Sequence, residues 1–256
     1  MITGDYSGIG SWNLVLISGS HILFGNAEVS YSSGRGINVY AGESEFLAEA
    51  YANSQKYVTL ADVEVHHTKN AGIIAEWVDN LTIQSRVLWQ NNQINNPDSD
   101  FFEDCYWSGA VTVRRGAHFL LEDNKIYESY GEGVNIHGGA IDVTIQDNVV
   151  YNTWAPAIYP INSSQITIQR NLIYHTNDSR FLRHNNPPQG VMMGNEHYHM
   201  QEHAMTLEDV NVINNMIKGF QINVGFWYNG FESESALVNV LIAHNTLVDA
   251  HANTED

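Results

Sequence analysis

The sequence predicts an all-β protein, a solenoid of stacked parallel coils. Two observations lead there: a nine-residue apolar pattern that recurs along the chain, and a shorter strand pattern that follows it in each period. Composition agrees with both. Of 256 residues, 43% are hydrophobic and 16% charged, enough apolar surface for a large core but too little charge for an exposed helical bundle. Asn, Ser, Thr and Gly suit a turn-rich β protein.

The nine-residue pattern is apolar at positions 1, 3 and 8, often with Asn at 6. Its clearest copies are Phe119–Tyr127, Val143–Tyr151 and Ile166–Tyr174, with looser ones starting at Val210 and Val240 and earlier ones at Ile22, Val58 and Leu81. Steps of 24 and 23 residues separate Phe119, Val143 and Ile166, so this is the basic period and the longer steps carry insertions. The second pattern is a small residue followed by apolar-x-apolar, as in Gly36 to Val39, Gly72 to Ala75, Ala110 to Val113, Gly133 to Ile136, Ala157 to Pro160 and Gly190 to Met193. About three short strands per period are too brief for hairpins but sufficient when each pairs with its counterpart in the next coil. The chain is then one domain over 1–256, about seven or eight coils long, with insertions at about 93–109 and 178–208.

Asn124, Asn148, Asn171, Asn215 and Asn245 superpose at a bend between two strands. Asn tolerates left-handed backbone angles, and its amide can bond the coils above and below, so these residues are expected to form a ladder. Val63 and Arg86 occupy this position in two N-terminal coils, where the ladder should be interrupted.

The stretch Asn124 to Ile136, followed by Val143 to Tyr151, resembles consecutive repeats of the right-handed parallel β-helix proteins of the pectate-lyase-like superfamily. The resemblance covers nearly the whole chain and implies a single-stranded right-handed parallel β-helix. It also implies a carbohydrate-active protein, either a polysaccharide lyase or glycoside hydrolase with a groove along the first parallel sheet, or a non-catalytic glycan-binding, adhesin or tailspike-like module. Fold alone does not choose among them. The Asn-Thr-Asp and Asp-Asp pattern of β-helical polygalacturonases and the Asp-Pro-His-Asp pattern of alginate epimerases are both missing. An extracellular or cell-surface location is expected from the resemblance.

Alternation on the first sheet points Ile37 and Val39, Ile73 and Ala75, Val111 and Val113, and Val134 and Ile136 inward. Asn38, Ile74, Thr112, Asn135 and Tyr159 then face outward, and the next outward column holds Tyr40, Glu76, Arg114 and His137. Carboxylate, guanidinium and imidazole on adjacent coils can touch one sugar unit, or Glu76 and Arg114 can form a surface salt bridge of little energetic weight. In a lyase, Arg114 or Arg115 would neutralise an enolate and His137 would abstract the proton. In a hydrolase, Glu76 would pair with Glu103, Asp104, Glu128 or Glu132. Asn135, Tyr159, Tyr40, Trp107, Arg115 and Glu132 are candidate substrate contacts. Glu132 also reads as a turn residue before Gly133.

The first insertion combines Asp98, Asp100, Glu103 and Asp104 with Phe101, Phe102, Tyr106 and Trp107. Its carboxylates suit Ca²⁺, although their spacing is not that of an EF-hand. The second contains Glu196, His197, His199 and His203, plainer as loop decoration than as a metal site. Trp89, Tyr127, Tyr151 and Tyr174 form an aromatic column better suited to packing than to binding a glycan.

A net charge of −18 argues against nucleic acid as a partner. The single cysteine, Cys105, excludes an intrachain disulfide. No apolar run approaches the roughly 18 residues of a membrane helix, and the first residues lack the basic and apolar regions of a signal peptide. Strand patterns running from Leu14 to Val248 suggest a piece of a longer polypeptide.

Overall fold

The computed structural model describes residues 1–4, 13–40, 55–85, 92–96, 109–196, 206–229 and 237–250. Eight strands pair in sequence order as one parallel sheet, the first face: Asn13–Ile17, Arg35–Tyr40, Ile73–Glu76, Val111–Arg114, Val134–His137, Ile158–Pro160, Gln189–Glu196 and Ile222–Asn229. The remaining strands form a 15-stranded sheet that wraps the coil as two further faces. One coil runs from Val134–His137 through Ile141–Gln146 on the second face to Val149–Thr153 on the third, and the next begins at Ile158–Pro160. Each strand is matched one coil on: Val134 with Ile158, Val143 with Ile166, Val150 with Ile173. This is the expected parallel β-helix, and the eight first-face strands among the described residues agree with the predicted number of coils.

The core follows the alternation. Ile37, Val39, Ile73, Ala75, Val111, Val113, Val134 and Ile136 are fully buried and join one continuous apolar cluster with Val143, Ile145, Ile166 and Ile168 from the second face and Ile126, Val150 and Ile173 from the third.

The Asn ladder forms at the corner between the second and third faces. The backbone N–H and the Nδ2 of Asn124 both donate to Asn148 Oδ1 at 2.9 Å. The same pair of bonds runs from Asn148 to Asn171, from Asn171 to Asn215 and from Asn215 to Asn245. Each Nδ2 also donates to a carbonyl of the preceding coil, such as Leu121 O for Asn148 and Ile145 O for Asn171. One expectation is corrected: the left-handed residues are not the asparagines but their predecessors, Asp123, Asp147, Arg170, Asn214 and His244, with φ between 55° and 57°. The sharp turn is made one residue early, which frees the asparagine to point its amide along the helix axis. At Val63 the ladder is interrupted as expected. A buried valine fills the corner and the strand Gln55–Thr68 runs through it unbroken. Arg86 lies outside the described residues.

On the third face, Tyr127, Tyr151 and Tyr174 stack with ring centroids 5.3 and 4.8 Å apart, and Lys125 lies 4.6 Å from the Tyr127 ring. Adjacent-coil spacing brings the rings into mutual contact, a packing role. Trp89 lies outside the described residues.

Each predicted insertion includes a paired strand among the described residues. Asn92–Asn96 pairs with Asn124–Ser129, and Gln189–Glu196 is a regular first-face strand. The second of these strands contains the Gly190 to Met193 copy of the short pattern, which the sequence already marks inside that insertion. Among the described residues, no helix is long and apolar enough to cross a membrane.

Candidate functional site

Two polar constellations occupy the outer side of the first face. The first is built on Glu76, the last residue of its strand, in register with Tyr40 one coil before and Arg114 one coil after; His137 follows Arg114. Successive residues of a strand point to opposite sides, so Arg114 and Arg115 should diverge. Arg115 instead has a left-handed backbone, φ 53°, and both guanidiniums reach the same carboxylate. Arg114 Nη2 donates to Glu76 Oε2 at 2.7 Å and Arg115 Nη1 to Oε1 at 2.9 Å. Gly138, whose φ of 66° favours glycine, lies alongside the Arg115 stem, and the Arg115 guanidinium is 5.5 Å from the Trp77 ring. Glu76 is buried and both arginines are largely so, which replaces the expected weak surface salt bridge by a desolvated clamp. Arg35 stands near it. Its pKa is lowered by burial and by Arg114, and raised by Glu76 and Tyr40.

The second constellation was not assembled by sequence reasoning. Tyr159, in register with Asn135, extends its ring over the next coil and donates its hydroxyl to Glu196 Oε1 at 2.8 Å. Gly194 makes this possible, since a Cβ there would lie 2.9 Å from the Tyr159 ring and hydroxyl. Burial and the Glu196 carboxylate push the Tyr159 pKa far up, so it remains a donor. Burial raises Glu196, and the Tyr159 bond pulls it back. Burial also lowers Arg183, against the pull of Glu132 and Tyr159. Glu132 is only 2% exposed. Burial raises its pKa to about 7, with its own backbone N–H opposing, the Glu196 carboxylate adding to the rise, and the Asn135 side chain and Arg183 opposing. Glu132, Asn135, Tyr159, Arg183 and Glu196 thus act on one another across neighbouring coils.

The outward column is less open than alternation implies. Asn38, Ile74, Thr112, Asn135 and Tyr159 are all buried, although they face away from the core. Several polar atoms here lack a partner. Among the described residues, Asn38 Oδ1, Asn135 Oδ1, Glu132 Oε2 and Arg114 Nε are buried without a hydrogen bond. Asp98, Asp100, Glu103, Asp104 and Trp107, with His197, His199 and His203, lie outside the described residues. Among those described, no three His, Cys, Asp or Glu side chains gather as a metal site. Glu128 sits apart in an ion pair with Arg180 at 3.5 Å.

Glu132 carries a measurable consequence. An unfolded carboxyl ionises near 4.5 and this one near about 7, so the unfolded chain releases its proton first. Its contribution to stability is therefore greatest at low pH, falls as pH rises through that window, and levels off above it, by at most about 3 kcal/mol. Glu132→Gln should remove that component and exceed the parent in stability above the window. Urea unfolding of both proteins across it measures the difference, and parallel pH profiles would refute the buried acid.

Glu76, Arg114 and the outward column were legible in the sequence, and Arg115 as a candidate contact though not as a second partner of Glu76. Arg35, Arg183 and the role of Glu196 were not. The one available signal was Gly194 in register with Ile161, a missing side chain beside a large aromatic.

A family model described as right-handed beta helix region matches residues 48–249. Among curated proteins, none matches the chain. Two solved structures are similar to it. The Dettilon tailspike protein has 10% identity and a TM-score of 0.43, over 83% of this chain and 50% of that one. The A-module of the Azotobacter vinelandii mannuronan C-5 epimerase has 9% identity and a TM-score of 0.25, over 93% of this chain and 56% of that one. The chain thus spans about half the length of these structures. With the family model matched over most of its length and every coil paired in parallel, the chain belongs to the right-handed β-helix family.

Proposed function

We propose that this β-helix acts on carbohydrate and hydrolyses glycosidic bonds along its first face, with Glu132 as the protonated acid and Glu196 as its carboxylate partner. The observation that carries the reading is a buried carboxyl with a pKa of about 7 beside a second carboxyl that accepts a hydrogen bond from Tyr159. Glycoside hydrolysis needs one carboxyl that keeps its proton near neutral pH to protonate the leaving oxygen. It needs a second that stays charged, as nucleophile or as base for water. Burial raises both carboxyls, and what separates them is that the Tyr159 hydrogen bond pulls Glu196 back while Glu132 is carried to about 7.

The unpartnered acceptors support the same substrate class. Among the described residues, Asn38 Oδ1 and Asn135 Oδ1 have no donor, and a sugar presents a row of hydroxyl donors. The lyase alternative, with Arg114 as neutraliser and His137 as base, is weakened because the Arg114 guanidinium already bonds Glu76. The reading carries with it an extracellular or cell-surface location, where such glycans are met.

The test is a panel of neutral and uronic-acid polysaccharides, with and without added Ca²⁺, assayed for new reducing ends and for the absorbance of unsaturated products. Reducing ends without unsaturation are expected, with Glu132→Gln and Glu196→Gln each lowering kcat at least about 100-fold while the β circular dichroism spectrum is retained. An unsaturated product would establish the lyase instead. Binding without turnover of any substrate would leave a glycan-binding module.

A further inference from the structure

The last described strand of the first face, Ile222–Asn229, places an exposed aromatic beside the Tyr159–Glu196 pair. Val191 pairs with Val224 and both turn toward the core, so by alternation Met192, Gly194 and Glu196 face outward on one strand and Gly225 and Trp227 on the next. Trp227 is in register with Gly194 and is 53% exposed, whereas Tyr159 and Met192, outward side chains of the two preceding coils, are buried. Each outward glycine is covered by a side chain from the coil before it. The Tyr159 ring lies over Gly194, and the Met192 sulfur is 3.3 Å from where a Cβ of Gly225 would stand. Tyr159 and Met192 pack with Ile161 in one apolar cluster, so Trp227 stands at the rim of an apolar floor. Glu196, two residues beyond Gly194 on the same side, is the diagonal neighbour of Trp227 across the strand pair, a distance that a large ring can span. Apolar and aromatic side chains with a few convergent polar groups at their margin are the usual lining of a small-molecule site.

We infer that Trp227 is the stacking platform for a neutral hexopyranose, next to the bond that Glu132 and Glu196 cleave. The face of an indole is electron-rich, and it takes the polarised C–H groups that a pyranose presents on the side free of axial hydroxyls. Neighbouring strands lie about 4.8 Å apart, so a sugar seated on Trp227 leaves its glycosidic oxygen at the coil that carries Glu196. Charge selects among sugars. The side chains that register and packing gather beside the indole are a phenol, a thioether and a carboxylate, in a chain with a net charge of −18. A uronate or sulfate on the stacked ring would meet repulsion there, whereas a neutral ring meets none. The place of Trp227 beside the cleaved bond rests on the hydrolase reading, while the platform itself rests on register and exposure.

Isothermal titration calorimetry on the full chain carrying Glu132→Gln measures binding without turnover. The probes are cellohexaose, mannohexaose and a galactan hexasaccharide, all neutral, with hexagalacturonate as the anionic counterpart. At least one neutral probe should bind at least about ten-fold tighter than hexagalacturonate. Trp227→Ala should weaken that probe at least about ten-fold, the scale expected when a contact loses its aromatic face, and Trp227→Tyr, which keeps a ring, should restore most of the affinity. Because the ring is half exposed, the urea midpoint of Trp227→Ala should match that of the parent, which separates lost binding from lost folding. No binding of any neutral probe, hexagalacturonate bound as tightly as the best of them, or affinity unchanged by Trp227→Ala would overturn the platform and leave the proposed hydrolysis standing. A Trp227-dependent neutral probe from which the wild-type chain releases no reducing ends would sink the hydrolase reading and keep the platform as a binding site.

Discussion

Asn148→Ala is expected to destabilise the protein by about 4 kcal/mol, because it removes the middle rung of a buried ladder. Asn148 Oδ1 accepts from the backbone N–H and side-chain amide of Asn124, while its Nδ2 donates to Asn171 Oδ1 and Leu121 O. Truncation leaves the Asn124 N–H buried without a partner, which costs more than the net value of the bonds lost. Asn148→Asp is the sharper test. It keeps the acceptor for Asn124 but puts a carboxylate oxygen against Asn171 Oδ1 and Leu121 O, two acceptors with no proton between them. The aspartate variant should therefore be at least as unstable as the alanine one near neutral pH and recover in acid, where a protonated carboxyl can donate. Urea unfolding followed by circular dichroism at both pH values measures this. A neutral-pH aspartate variant as stable as the parent would mean that the ladder's amide donors contribute nothing.

Glu76→Ala should cost about 3 kcal/mol. Removing one member of a fully buried ion pair typically costs more, but the Arg114 and Arg115 side chains retain 25% and 19% exposure and remain partly hydrated. Without Glu76, the Arg114 and Arg115 guanidiniums lose the carboxylate that they share and repel each other. Replacing Arg115 by leucine in the Glu76→Ala background should recover part of the loss, with a coupling of at least about 1 kcal/mol in a double-mutant cycle. Strict additivity would show that the clamp seen at 2.7 and 2.9 Å contributes no net energy.

The repeat made the fold legible. Position within a coil decides whether a side chain is inside, so the full burial of Val134 and Ile136, and of Val143 and Ile145, could be read from alternation alone. The asparagine rungs were legible for the same reason, because equal spacing along the chain becomes vertical stacking. Even the interruption at Val63 followed from one letter. The left-handed turn was displaced by one residue, onto Asp123 and its counterparts, because sequence preference marks a tight corner without saying which peptide turns.

The site divides along the same line. Alternation puts Glu76 and Arg114 in adjacent positions of one column, and they bond there. It does not reveal that Arg115 joins them, because that depends on a backbone angle, or that Tyr159 crosses Gly194 to reach Glu196. Nor does it distinguish an outward side chain in water from one that is buried, as Asn135 and Glu132 are. The sequence by itself determined the coil, its core and the columns of each face, since these depend on local periodicity repeated in register. The tertiary structure alone decided how far each carboxyl is dehydrated and which guanidiniums share the Glu76 carboxylate, because dehydration and charge are set by every group within a few ångströms, whatever its distance along the chain.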